Sequence, residues 1–174
     1  MASKILVTGG AGYIGSHTVV QLLQAGFEVL VLDNLSNSNR NVIDRITGLT
    51  GKSLDFVEGD VRDRSALQKI FAQHSMSAVI HFAGLKAVGE SETNPLKYFD
   101  NNVTGSLVLV EEMARAGVVT LVFSSSATVY GDPGYSQYRE DTPLGESHCR
   151  VTLIPLVHTP QACWERIQTV SPTI

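Results

Sequence analysis

Thr8-Gly9-Gly10-Ala11-Gly12-Tyr13-Ile14-Gly15-Ser16-His17 is the stretch that decides the fold. It follows directly on residues 4–8 (KILVT), a short β-branched and apolar run, and opens at Tyr13 into a segment carrying Val19, Val20, Leu22 and Leu23. A strand, a glycine-rich turn and a helix in that order form a seat for a diphosphate. Gly9, Gly12 and Gly15 divide the work: one permits the tight turn, one lets bare backbone approach phosphate, and one lets helix and strand pack closely. The first-turn amides, at Tyr13 and Ile14, have no partners within the helix and lie at its positive end, which favours an anion.

The alternation continues along the chain. Residues 28–33 (EVLVLD), 54–58 (LDFVE), 78–82 (AVIHF) and 118–124 (VVTLVFS) are again short and largely apolar, the pattern of strands buried on both faces of a parallel sheet. Helical segments separate them. Asp63 is placed to cap one, with Ala66, Leu67, Ile70 and Phe71 recurring on one face. Asn94 as N-cap and Pro95 at the first helical position start another, in which Phe99, Val103, Leu107, Val110 and Ala114 form an apolar stripe before Gly117 ends it. Strands and helices alternating in this way specify an α/β fold, a Rossmann-type doubly wound parallel sheet. The expected organisation is a dinucleotide-binding domain over residues 1–132, a loop over 133–145 and an atypical tail over 146–174.

Composition breaks at Gly145. The tail lacks Gly, Asp, Asn, Lys, Tyr, Phe and Met, yet holds Cys149, Cys163, the single Trp164 and Pro155, Pro160 and Pro172. Two readings fit it: an irregular extension, or a foreign sequence joined by a frameshift or alternative splice to a shortened domain. The second is favoured.

Bulk properties exclude several classes. A hydrophobic fraction of 43%, a charged fraction of 17% and a mean hydropathy of +0.08 describe a globular protein with one core. A net charge of −4 offers no basic surface for nucleic acid. No apolar run is long enough for a membrane span and no secretory leader opens the chain, so a soluble, cytoplasmic protein with reduced thiols is expected. No metal-ligand spacing occurs.

Asp33 closes the second strand, eighteen residues beyond Gly15, where a carboxylate accepts both ribose hydroxyls of an adenosine and repels the 2′-phosphate of NADP. NAD is therefore the expected cofactor, with Arg40 the nearby cation able to meet a 2′-phosphate. Asn34, Asn37 and Ser38 lie in the loop after Asp33 and belong to the same expected cofactor set. Asp60 and Val61 follow the third strand at the adenine end, although Asp60 is equally readable as a turn acid. His81, inside an apolar strand, reads as a packed core histidine.

Three blocks narrow the family: His81-Phe82-Ala83-Gly84-Leu85-Lys86-Ala87-Val88-Gly89-Glu90-Ser91, then Asp100-Asn101-Asn102-Val103-x-Gly105, then Ser124-Ser125-Ser126-Ala127-Thr128-Val129-Tyr130-Gly131. With the glycine spacing of three and three, they resemble the UDP-galactose 4-epimerases (UDP-glucose 4-epimerases) of the extended short-chain dehydrogenase/reductase family, over residues 4–132. Related dehydratases carry Thr-Asp-Glu where this chain has Ser126-Ala127-Thr128. The resemblance implies that Phe82, Ala83, Gly84 and Lys86 line the ribose and nicotinamide side of NAD, that Asn101 and Ser124 add cofactor contacts, and that Ser126 is catalytic.

It also implies a reaction, the interconversion of UDP-glucose and UDP-galactose in galactose metabolism. Hydride moves to NAD and back through a 4-keto sugar, while a tyrosine of a Tyr-x-x-x-Lys pair takes the hydroxyl proton. The last lysine of this sequence is Lys97 and its last tyrosine is Tyr138; Tyr135 is followed four residues on by Arg139, which does not replace lysine. The expectation is a form truncated before the lobe that grips the UDP-sugar and inactive by itself, with a non-catalytic NAD-binding or interaction module as the alternative. The homodimer of the family is in doubt for the same reason, since the second of its two packing helices is missing.

Overall fold

A computed structural model describes residues 4–125. Within them β1 (Lys4–Thr8), β2 (Glu28–Asp33), β3 (Asp55–Glu58), β4 (Met76–His81) and β5 (Leu121–Phe123) form one parallel sheet in the order β3-β2-β1-β4-β5. β1 is central, with Val7 opposite Val31 on one side and Ile80 on the other.

Successive side chains of a strand point to opposite faces, and both faces here are apolar. On one, Ile5, Val7, Val29 and Val31 pack under Val19 and Leu23 of α1 (Tyr13–Gln24) and Ile46 of α2 (Asn41–Thr50). On the other, Leu6, Leu30, Leu32 and Val79 meet Leu67 and Ile70 of α3 (Arg64–Gln73) and Leu109 and Met113 of α6 (Gly105–Arg115). β1 and β2 begin and end where the sequence places them. β4 starts two residues early, at Met76, and β5 pairs over three residues only.

Asp63 caps α3 as expected, its carboxylate accepting the amides of Ser65 and Ala66. The segment beginning at Pro95 is more complicated than one helix. After α4 (Val88–Thr93), which the sequence did not announce, come α5 (Pro95–Phe99), a π-helical turn (Asp100–Thr104) and α6. Pro95 does open α5, but Asn94 makes no side-chain cap; its amide donates to Thr93 Oγ1 instead.

The apolar stripe of that segment proves to be its outer side. Leu107 is 44% exposed, Ala114 is exposed, and Phe99, Val103 and Val110 are half-buried. The residues that enter the core are Tyr98, Ser106, Val108, Leu109, Glu112 and Met113. Two causes combine: the wide π turn changes the helical phase, and the inner row carries a carboxylate. Glu112 is buried between the guanidinium groups of Arg64 and Arg115. Burial alone pushes its carboxyl up, but hydrogen bonds from Arg64 and Gln68 and the charge of Arg115 bring it below the ordinary value.

Candidate nucleotide-binding site

A cleft of about 250 Å³ opens at the carboxyl ends of β1, β2 and β4. Connections leave β1 and β4 toward opposite faces of the sheet there, and this reversal is where open α/β sheets leave a crevice. Gly9, Gly12, Tyr13, Ile14 and Gly15 line it from the β1–α1 loop, and Asp33, Asn34 and Asn37 from the loop after β2. Val61 lines it after β3, Phe82, Ala83, Gly84 and Lys86 after β4, and Asn101 from the π turn.

The glycine loop explains its own composition. Gly9 has φ +70°, and a Cβ on it would stand 2.6 Å from the amide nitrogen of Ala83. At Gly15 a Cβ would stand 2.2 Å from the carbonyl oxygen of Gly9, so the helix could not approach the turn. Gly12 is the N-cap of α1 and the looser of the three, with its imaginary Cβ 3.3 Å from that same oxygen. The first helical hydrogen bond runs from Ser16 N to Gly12 O (2.9 Å). The amides of Tyr13, Ile14 and Gly15 thus stay free of helical partners in residues that line the cleft.

Asp33 is only 7% exposed, and its carboxylate is already organised. Oδ2 accepts Ala11 N (2.9 Å), while Oδ1 accepts Leu35 N (2.9 Å) and Ser38 Oγ (3.0 Å). A carboxylate has about four acceptor positions, so one is left for a ligand hydroxyl. Leu35 takes the left-handed region, φ 55°, which a branched side chain rarely occupies; the bond to Asp33 holds it there. Ser38 therefore supports Asp33 without lining the cleft.

Asp60 does not line it either. Arg62 donates to both of its oxygens and Asn34 to one, and the Arg62 guanidinium holds its carboxyl far below the ordinary range. The turn-acid role is the one on view. Arg40 lies over the Phe56 ring and pairs with Glu58 at 3.4 Å. Lys86 is exposed and makes no ion pair among the described residues.

Ser124 is half-buried and donates its amide to His81 O (3.1 Å), outside the cleft lining. His81 is a core residue as expected, 2% exposed, with Nδ1 2.5 Å from Thr8 Oγ1 and Nε2 3.0 Å from Ser106 Oγ. Burial pushes its imidazole down to about 4. Ser126 and the tyrosines at 135 and 138 lie outside the described residues.

Residues 5–150 match the family described as NAD dependent epimerase/dehydratase. The chain belongs to that family. Among curated members of the NAD dependent epimerase/dehydratase family, the UDP-glucose 4-epimerase of Neisseria meningitidis serogroup A is 63% identical over 144 residues, which are 83% of this chain and 42% of the relative. That of Bacillus subtilis (strain 168) is 58% identical over the same shares. This family member thus spans about 42% of the length of the curated relatives it matches. Among solved structures, the Bifidobacterium longum UDP-glucose 4-epimerase in complex with NAD+ and UDP superposes with a TM-score of 0.79 at 46% identity, covering 83% of this chain and 43% of that one. The UDP-Glc/GlcNAc 4-epimerase of Campylobacter jejuni gives 0.75 at 40% identity with the same coverage.

Sequence reasoning missed four lining residues of this epimerase/dehydratase chain: Leu32, Ser36, Gly59 and Leu85. Leu32 and Leu85 are apolar and carry no chemical signal. Ser36 and Gly59 adjoin Asn37 and Asp60 in the loops after β2 and β3, where loop position is their only signal. Asn102 carries no sequence signal of its role; its side chain holds the backbone of Leu85 at both ends, Oδ1 accepting the amide (2.8 Å) and Nδ2 donating to the carbonyl (2.9 Å).

Proposed function

We propose that this chain is the NAD-binding portion of a UDP-glucose 4-epimerase. The observation that carries the reading is the joining, in one cleft, of free helix-terminal amides, the glycines beneath them and the partly satisfied carboxylate of Asp33. The amides of Tyr13 and Ile14 are proposed to hold the diphosphate and Asp33 an adenosine hydroxyl, with Asn34, Asn37 and Val61 around the adenine. Phe82, Ala83, Gly84, Lys86 and Asn101 are proposed to line the nicotinamide ribose. Ser38, Asp60 and Ser124 act by supporting these groups. Arg40 is engaged by Glu58 and Phe56, which supports NAD over NADP.

The chemistry a bound dinucleotide supplies is reversible hydride acceptance, by which a C4 hydroxyl becomes a ketone and returns inverted. Ser126 is proposed to orient the sugar oxygen. Within the 174 residues nothing corresponds to the Tyr-x-x-x-Lys base, so turnover is not assigned to these residues alone. The second reading is a non-catalytic NAD-binding module, which the same cleft would serve. A cytoplasmic setting belongs to the same proposal; the homodimer of the family is not assigned to these residues, although Leu96 (80% exposed) and Leu107 leave an apolar row of α5 and α6 outside.

Calorimetric titration of the folded chain with NAD+ and NADP+ tests the cofactor, and a coupled assay with UDP-galactose tests the activity. Binding of NAD+ at least tenfold tighter than NADP+, without turnover, is expected. Absence of heat from either nucleotide would overturn the first claim, and turnover would overturn the second.

A further inference from the structure

The ends of β1 and β4 lie side by side, Thr8 opposite His81. The direction of every hydrogen bond that meets there follows from elementary bonding rules. Ser106 Oγ is 2.6 Å from the carbonyl oxygen of Asn102 and 3.0 Å from His81 Nε2. A carbonyl only accepts, so the single hydroxyl proton of Ser106 is committed to Asn102. The serine oxygen must then receive Nε2–H of His81. A neutral imidazole protonated at Nε2 can only accept at Nδ1, and Thr8 Oγ1, 2.5 Å away, becomes the donor. Burial disfavours the imidazolium, in keeping with a neutral ring.

The bonds run one way, from Thr8 to His81 to Ser106 to Asn102, and each end stands next to residues that line the cleft. Thr8 is the residue before Gly9. Asn102 grips Leu85, and Asn101 donates to the same Asn102 Oδ1 at 2.9 Å. Leu85 and Asn101 both line the cleft.

We propose that His81 is a positioning residue of the cleft: with its proton on Nε2, it sets the π turn against the end of β1, so that Asn102 holds residues 82–87 in place for the nicotinamide end of the cofactor. The role rests on the NAD reading of the cleft, while the direction of the relay does not. Replacing any donor by a group that cannot donate leaves a buried acceptor bare and releases the grip on Leu85.

The test uses the full chain labelled with nitrogen-15. A two-bond proton–nitrogen correlation at pH 7 is expected to show His81 as the Nε2–H tautomer, and the Leu85 amide to be protected from exchange. Thr8→Val, which keeps shape but removes the donor, should speed Leu85 exchange selectively and weaken NAD+ binding about tenfold, the equivalent of one hydrogen bond. Thr8→Ser should restore both, and Ser106→Ala should repeat the loss. An Nδ1–H tautomer in the unaltered chain overturns the proposal, a result that needs no variant to fold. Leu85 exchange that is unchanged in Thr8→Val, or raised no more than in the rest of the sheet, also overturns it. Should the unaltered chain bind no NAD+, the cofactor reading fails, and the tautomer and Leu85 exchange still decide the relay.

Discussion

Gly15 and Gly48 both sit in helices, and their surroundings give opposite expectations for the same substitution. A methyl group on Gly15 meets the Gly9 carbonyl at 2.2 Å, whereas one on Gly48 meets nothing within 4 Å. Gly15→Ala should cost about 2–3 kcal/mol through overpacking and spoil the glycine turn. Gly48→Ala should add about 1 kcal/mol by restricting the unfolded chain and favouring the helix. Urea midpoints of the two variants against the parent check both signs. His81 carries a pH dependence. Its folded value, about 4, lies below the ordinary 6.5, so the unfolded state binds the proton more readily between them. Its contribution is complete above pH 6.5 and is lost as pH falls toward 4, by about 3 kcal/mol in all. His81→Asn should flatten that part of the urea midpoint against pH; an unchanged slope would count against the assignment. Gly9, Gly12, Gly15 and Asp33 were legible in the sequence because backbone clearance and strand-end position are local properties. What the sequence does not show is that Ser38 and Asp60 stand one step behind the cleft wall, Ser38 bonded to Asp33 and Asp60 to Arg62, because those pairings exist only in three dimensions.

The elements divide along similar lines. β1 and β2 are buried on both faces, so apolar residues fill them from end to end and their limits could be read directly. The segment from Pro95 to Arg115 misled, because its inner residues include Ser106 and Glu112 beside Val108, Leu109 and Met113, while its outer residues are apolar as well. Hydrophobic period reports which side is greasy; it does not report that two arginines can neutralise a carboxylate inside, or that a π turn intervenes. Gly105 stands where that turn becomes α6, and a Cβ there would lie 2.8 Å from Val61 Cγ2. Val61 lines the cleft, so Gly105→Ala should push it toward the nucleotide space. The expected outcome is a modest loss of stability, about 1 kcal/mol, with a larger loss of NAD+ affinity, separable by thermal melting and calorimetry on one preparation.

At the scale of the molecule, the apolar row left outside on α5 and α6 bears on association. Leu107→Asp should lower the melting temperature of dilute protein by only a few degrees, because the side chain is already 44% exposed, and should reduce whatever concentration-dependent association sedimentation records for the parent. Persistence of the larger species in Leu107→Asp would exclude this row as the contact. The position of β1 has a different consequence, one of timing. Of the described strands, the one that comes first in the chain lies in the middle of the sheet, and its second neighbour, β4, ends only at His81. A nascent chain emerging from the ribosome therefore carries β1 with one flank bare until α3 and β4 have been synthesised. Slow codons placed between β2 and β4 would prolong that interval and increase the call on chaperones, whereas slow codons met only after β4 has cleared the ribosome would find both flanks of β1 already paired.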